Sequence, residues 1–261
     1  MKLYLVGFGP GNYEGMTIQA KECIKSSDII VGYTVYVDII KQYFPDKEFF
    51  STPMRKEADR VRAAVELALE GKNVSIICSG DSVIYGMAGL AYEILNNYKK
   101  EHENAIDGKQ NEKVDVNEIQ IEVIPGVTAA VSGSAVLGAV LTHDFCVISL
   151  SDLLTPWDKI EKRLVCAAMG DFEIAIYNPV SKKRADYLKK ACEIILKYRD
   201  GDCVCGYAMN IGRDEENYQV TTLFELQNME LNMFTTVFIG NSQTMNIDGK
   251  MVTPRGYRID G

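Results

Sequence analysis

Short apolar runs alternate along this chain with longer segments of helical period. Residues 3–6, 28–32, 74–78, 119–124, 146–150, 172–177, 202–209 and 235–239 read as buried strands. Between them, residues 17–26, 35–43, 56–70, 86–97, 157–168 and 182–198 carry apolar positions three and four apart and read as helices. Val61, Val65 and Leu69 share one face of the third helix, and Gly71 ends it. Leu188, Cys192, Ile195 and Leu196 form the apolar set of the last. Strand, glycine turn and helix recur, which predicts an α/β protein built on parallel sheet with crossover helices.

Three stretches depart from this rhythm. Residues 99–117 are polar and charged, and read as a surface insertion. Residues 128–141 are rich in Ala, Gly, Ser and Val, small enough for close approach to a sheet or a ligand. A second α/β unit begins near Phe145, so two domains are expected, 1–143 and 144–261. Asp248-Gly249-Lys250 reads as a hairpin turn.

The chain has 261 residues, 47% hydrophobic and 25% charged, enough for a large core without metal or disulfide staples. Its net charge of -8 disfavours nucleic acid as a partner, though a local basic patch for an anionic small molecule remains compatible. The seven cysteines are odd in number and mostly lie in apolar runs, with no second Cys or His pair to make a metal site. Reduced cysteines, no signal peptide at Met1–Gly7 and no apolar run of membrane length give a cytoplasmic expectation without a membrane partner.

Candidate chemistry gathers at the ends of the predicted strands, where α/β proteins place their ligands. Gly7-Phe8-Gly9-Pro10-Gly11 resembles a nucleotide loop, but Asn12 stands where the dinucleotide pattern wants glycine. Pro10 also removes a backbone donor. No carboxylate tips the second strand and there is no Gly-Lys-Ser/Thr loop, which disfavours NAD and ATP. An adenosyl ligand without phosphates fits better. In Ser79-Gly80-Asp81-Ser82, Gly80 permits close approach, and Asp81 either caps the following turn or faces a cationic ligand group.

These motifs resemble the tetrapyrrole methylases, and within them the precorrin-3B or cobalt-factor III C17-methyltransferases of cobalamin biosynthesis. The resemblance is carried by Gly7–Gly11 with Thr17, by Gly80-Asp81-Ser82 with Tyr85-Gly86, and by Pro125-Gly126-Val127-Thr128-Ala129-Ala130. The run from His143-Asp144-Phe145 to Asp152-Leu153-Leu154-Thr155-Pro156-Trp157 is its most specific part. Ile176-Tyr177-Asn178-Pro179, Asn210-Ile211-Gly212-Arg213, Asn241-Ser242-Gln243-Thr244 and the tail 248–257 extend it. Ser82 replaces the proline common after Gly-Asp, and Met209 replaces an arginine frequent in similar members.

The resemblance implies two α/β domains with a ligand cleft between them, a homodimer, and S-adenosyl-L-methionine as methyl donor, leaving as S-adenosyl-L-homocysteine. It assigns Pro10, Gly80, Asp81, Val83, Ile84, Thr128, Ala129, Asn178, Met209 and Thr235 to the donor site. The implied acceptor is an anionic tetrapyrrole, either cobalt-loaded or metal-free, methylated at C17 with contraction of the ring. Arg55 and Lys56, with Arg60 nearby, and Arg213 and Arg255 are candidates for its carboxylates. Contraction calls for removal of a hydroxyl proton. His143 and Asp144 are the matched catalytic candidates, with Asp152 and Asp81 competing and a purely structural turn as the alternative. Another methylase of the same pathway, an NAD-dependent oxidoreductase and a small-molecule sensor are the competing functions.

Overall fold

The structure is a computed structural model and describes residues 1–104, 115–181 and 184–258. It divides into two compact units, Met1–Thr128 and Ala129–Gly261.

The first unit is a parallel α/β sheet. Strands β1 (Lys2–Gly7), β2 (Ile29–Tyr33), β3 (Glu48–Thr52), β4 (Val74–Cys78) and β5 (Gln120–Ile124) lie in the order β3-β2-β4-β1-β5, each pair parallel. The helices are α1 (Ile18–Ser26), α2 (Thr34–Lys41), α3 (Glu57–Leu69) and α4 (Ala88–Asn104). Side chains alternate across a strand. Leu3 and Leu5 of β1 therefore join Val74 and Ile76 in one core with Val65 of α3 and Ala91 of α4. Val6 and Ile77 point the other way, into a core with Ile24 of α1 and Ile40 of α2. With every strand parallel, the loops after β1, β3, β4 and β5 leave the sheet at one edge.

The second unit begins with α5 (Ala129–Leu137) and β6 (Gly138–Ala139). It continues through β7 (Phe145–Ser149), α6 (Trp157–Met169), β8 (Glu173–Tyr177), α7 (Tyr187–Ile195), β9 (Val204–Met209) and β10 (Asn217–Thr222). The last elements are α8 (Leu223–Leu226), β11 (Thr235–Ile239), β12 (Met245–Ile247) and β13 (Lys250–Val252). Five strands form the order β10-β9-β11-β8-β7, and β12-β13-β6 form a small second sheet. Helices α6, α7 and α8 cover one face of the larger sheet through Leu164, Ile195 and Leu223. Leu137 of α5 and Met251 of β13 meet Phe238 and Ala208 on the other.

Several expectations change here. Among the described residues, β7 and β8 are the one parallel pair of the second unit's five-stranded sheet; β8-β11, β11-β9 and β9-β10 are antiparallel, and the short β6 pairs in parallel with β13 in the small sheet. The loop from Asn210 to Glu216 lets β9 turn directly into β10, which a parallel pair does not allow. The boundary falls at 128/129 rather than 143/144, because α5 packs on the second unit's sheet. A Cβ on Gly133 would lie 2.7 Å from the Phe238 ring, so the small residues of α5 serve close packing. The polar character assigned to 99–117 does not begin with a loop, since α4 runs on to Asn104. Residues 105–114 of that expected insertion lie outside the described residues, as do Lys182 and Lys183 of the last predicted helix. The Asp248-Gly249 hairpin is present, with φ of 50° and 79° at its two central residues, between β12 and β13. Among the described residues no helix is long and apolar enough to cross a membrane.

Candidate functional site

In the first unit, three strand ends are tied together by backbone and one carboxylate. Gly9 N–H donates to Gly80 C=O at 3.0 Å and Gly80 N–H returns the bond to Gly9 C=O at 2.8 Å, joining the loops after β1 and β4. Asp81 adds the third loop. Its Oδ2 accepts from Gly126 N–H at 3.0 Å and its Oδ1 from Val83 N–H at 2.7 Å. Glycine is needed where these backbones touch. A Cβ on Gly126 would lie 2.1 Å from Gly80 O and 2.5 Å from Gly7 O. Gly80 itself has φ 68°, a left-handed conformation that glycine adopts freely. Thr17 caps α1 by accepting from Ala20 N–H, and its hydroxyl donates to Pro125 C=O at 3.3 Å, so α1 joins the same cluster.

Ser82 explains how the loop manages without the proline common at that position. Its buried hydroxyl donates to Leu5 C=O at 3.1 Å and fixes the turn by a hydrogen bond instead of a ring. The chain then presents Val83, Ile84 and Tyr85 outward, with Val83 62% exposed. Pro10 lies on the loop between Gly9 and Gly15, and Thr128 follows Gly126 by two residues. The structure thus brings Pro10, Gly80, Asp81, Val83, Ile84 and the Thr128 turn to one edge of the first unit's sheet. Arg55, exposed with φ 66°, and Lys56 follow β3 at that edge too. Lys56 pairs with Asp59 at 2.9 Å. Arg60 departs from the expected patch. It is buried, donates to the carbonyls of Thr52 and Pro53, and lies one residue from Val61 on the core face of α3.

In the second unit, strand register sets which residues share an edge. Ser149 pairs with Tyr177, and Thr235 pairs with Met209. Continuing the β8-β11 register places Asn178 beside Thr235. Asn178, Met209 and Thr235 therefore line one edge of the larger sheet. Asn178 and Asn210, each just past a strand, turn the chain with φ 53° and 52°, a conformation asparagine tolerates. Asn178 Nδ2 donates to Ser149 Oγ at 3.0 Å, and the Tyr177 hydroxyl accepts from Ala130 N–H at 2.7 Å near the start of α5, which Ala129 opens. The Thr235 hydroxyl is tied to Asn232 at 3.2 Å. Arg213 stays near this edge with its guanidinium 5.3 Å from the Phe234 ring centre. Ser149 and Tyr177 were not singled out from sequence; the Tyr177-Asn178-Pro179 run was the available signal.

His143 and Asp144 lie elsewhere. They precede β7, whereas Ser149 and Asn178 mark the far ends of β7 and β8. A five-residue strand spans roughly 17 Å. The second unit thus does not bring His143 and Asp144 to the edge that carries Asn178, Met209 and Thr235. Arg255 goes with them, donating to Thr142 C=O at 3.4 Å. What stands under this turn is Glu173, fully buried at the start of β8. Its backbone N–H donates to Asp144 C=O at 3.2 Å. Burial pushes the Glu173 carboxyl above its ordinary value; the Thr253 hydroxyl and the N–H groups of His143 and Thr142 pull the other way. Neither carboxyl oxygen reaches full hydrogen-bond geometry, so desolvation prevails.

This has a consequence for stability. With its folded value raised, Glu173 favours the native state when protonated. That contribution is complete below about pH 4.5 and is lost as pH rises through the folded value. Glu173→Gln is expected to raise the Tm at pH 7, with the gain shrinking as pH falls toward 4.5. Melting curves across that range check it; a Tm at pH 7 below that of the parent would contradict it.

No group of three or more His, Cys, Asp or Glu able to hold a metal ion occurs among the described residues. The carboxyl edges, backbone-tied glycine loops and outward apolar side chains suit an adenosyl ligand, and among the described residues no Gly-Lys-Ser/Thr loop forms a phosphate cradle. A family model for tetrapyrrole (corrin/porphyrin) methylases matches residues 2–106 and 109–227. The chain belongs to the tetrapyrrole methylases. Among these methylases, a cobalt-factor III methyltransferase of Priestia megaterium is 44% identical over 98% of this chain and 45% of the relative. The chain thus spans about half the length of that relative. A probable cobalt-factor III C(17)-methyltransferase of Salmonella typhimurium is 40% identical over 98% of this chain and 100% of its own length. Of solved methylase structures, the methyltransferase CobJ superposes with a TM-score of 0.84 at 31% identity, covering 97% of this chain and 99% of that one.

Proposed function

We propose that this tetrapyrrole methylase transfers a methyl group from S-adenosyl-L-methionine to C17 of cobalt-factor III or precorrin-3B. The transfer is coupled to ring contraction in cobalamin biosynthesis, and S-adenosyl-L-homocysteine leaves as product. The observation that carries this reading is the end-to-end match, at 40% identity, to a relative named for that position on the macrocycle. The loop geometry of the first unit supports a donor of this class, held by backbone groups and one carboxylate without phosphate contacts. We place the protein in the cytoplasm as a homodimer.

The donor supplies a methyl group already activated on a sulfonium, so the protein needs no nucleophile of its own. Its task is orientation, which can contribute on the order of 7–11 kcal/mol. Asp81 holds the loops after β4 and β5 at a fixed spacing and offers its remaining lone pairs to the cationic donor. Val83 and Ile84 present apolar surface to it. Pro10, Gly80 and Thr128 shape its surroundings in the first unit, while Ala129, Asn178, Met209 and Thr235 are the donor-contact candidates within the second unit, taken by itself. Arg55, Lys56 and Arg213 bind acceptor carboxylates, with Arg213 the best positioned in its unit. Arg255 takes a structural role beside Thr142.

Proton removal during contraction does not fall naturally to His143, given its place at the amino end of β7. His143→Ala is expected to keep kcat within about threefold of the parent, the scale of a change below 1 kcal/mol. A 100-fold loss of contraction with intact donor binding would return His143 to the chemistry. The reading as a whole is tested by anaerobic turnover assays with metal-free precorrin-3B and with cobalt-factor III. Donor-dependent consumption of one of them supports it, and consumption of neither by a protein that binds S-adenosyl-L-homocysteine contradicts it.

A further inference from the structure

The segment that follows β7 is pinned at both ends, and its middle exposes hydrocarbon. Leu150 is fully buried, and its N–H donates to Tyr177 C=O at 3.0 Å. Ser151 N–H donates to Ser149 Oγ at 3.2 Å. Asp152 is held by the Tyr187 hydroxyl at 2.7 Å, with Arg184 Nε 3.7 Å away. Trp157 opens α6 with its ring centre 4.4 Å from that of Tyr187. Between these anchors, Leu153 is 59% exposed and Leu154 98% exposed.

An exposed leucine on a fixed loop is a preorganised apolar contact, because the ordering cost of the loop has been met before a ligand arrives. Its location narrows the ligand. The loop leaves the sheet at the carboxyl end of β7, beside the Ser149–Asn178 hydrogen bond, at the edge that also carries Met209 and Thr235. Arg184, largely covered and anchored to Ser181 Oγ and Leu150 C=O, brings a guanidinium to the base of the same loop. That guanidinium is paired with Asp152 and serves to hold the loop, so what the loop offers at this strand edge is an apolar surface, which matches the hydrocarbon face of a flat ring system.

We propose that Leu153 and Leu154 form an apolar platform that packs against the face of the tetrapyrrole acceptor, with Asp152, Tyr187 and Trp157 as positioning residues that hold it in place. The inference rests on the proposed methylation of a tetrapyrrole. It assigns to this loop the choice and orientation of acceptor, separate from donor binding.

The test uses the full chain with Leu154→Ala, Leu154→Asp and Tyr187→Phe. Leu154 is so exposed that its replacement leaves the core untouched. For Leu154→Ala, KM for the tetrapyrrole that the parent protein consumes is expected to rise about tenfold, the scale of one lost leucine contact. Leu154→Asp is expected to raise it further by repelling the carboxylates, and Tyr187→Phe to lower kcat more than it raises KM. The Kd for S-adenosyl-L-homocysteine, the Tm and the mass by light scattering stay at parental values for the Leu154 variants. Unchanged KM in both Leu154 variants overturns the platform. A fall in mass assigns the leucines to contact with a second copy of the chain and also overturns it. Failure of the parent protein to consume either tetrapyrrole is a separate result, and sinks the functional reading together with this one.

Discussion

Asp81→Ala is expected to weaken binding of S-adenosyl-L-homocysteine by about 10- to 100-fold and to lower turnover at least as much. The carboxylate accepts from Val83 N–H at 2.7 Å and from Gly126 N–H at 3.0 Å, so its removal frees two backbone donors in the loops after β4 and β5. A hydrogen bond to a charged group contributes about 1.5–3 kcal/mol, and 1.4 kcal/mol corresponds to a factor of ten in affinity. The same carboxylate is the charge proposed to face the donor, so spacing and attraction are lost together. Asp81→Asn keeps one acceptor oxygen and is expected to fall between the two. Isothermal titration with S-adenosyl-L-homocysteine measures this directly. Parental affinity and turnover in Asp81→Ala would remove the residue from the site.

The second large effect is structural. Gly126→Ala puts a methyl group 2.1 Å from Gly80 O and 2.5 Å from Gly7 O, and both obstacles are backbone. No side chain can swing aside to admit it, so the three loops must separate. A cost of about 3 kcal/mol or more follows from such overpacking. At roughly 2–4 °C per kcal/mol for chains of this size class, the Tm should fall by roughly 6–12 °C or more. Donor affinity should fall with it, since the loops after β1, β4 and β5 share that contact. Thermal denaturation followed by circular dichroism reads the first effect, and titration at low temperature the second. A Tm within 2 °C of the parent would show that the strand ends have room the structure denies them.

These two residues were visible in the sequence because their chemistry is local. Gly-Asp after an apolar run and Pro-Gly after another announce turns whatever the tertiary fold. The strands of the first unit were legible for a similar reason: Leu3, Leu5, Val74 and Ile76 bury one face while Val6 and Ile77 bury the other, leaving runs that are mostly apolar despite Ser75 in β4. Edge strand β3 escaped because Glu48, Phe50 and Ser51 are exposed and no continuous apolar face marks it. Strand β10 escaped for the same reason, with Asn217, Tyr218 and Gln219 exposed along its outer edge.

Strand direction in the second unit was not legible at all. Alternation is the same for parallel and antiparallel pairs; the short return from β9 to β10 accounts for that one pair, while the antiparallel pairing of β11 with β8 and β9 has no local signal. Helix α5 was placed in the first domain, because small residues advertise close packing but not its partner, which is Phe238 of the second unit. The candidate site divides along the same line. Asp81 and Gly126 could be read from motifs. The distance of His143 from Asn178 could not, since it depends on which ends of β7 and β8 those residues occupy. Arg60 was misread as part of an exposed basic patch because a charge usually marks the solvent face, yet its spacing to Val61 and Ala64 already placed it on the buried one.

The protein is incubated without oxygen with S-adenosyl-L-methionine carrying a carbon-13 methyl group and with cobalt-factor III, and the product is examined by mass spectrometry and carbon NMR. A single labelled methyl group is expected on C17 of a contracted ring, formed together with one equivalent of S-adenosyl-L-homocysteine. A labelled methyl group on any other carbon of the macrocycle would contradict it.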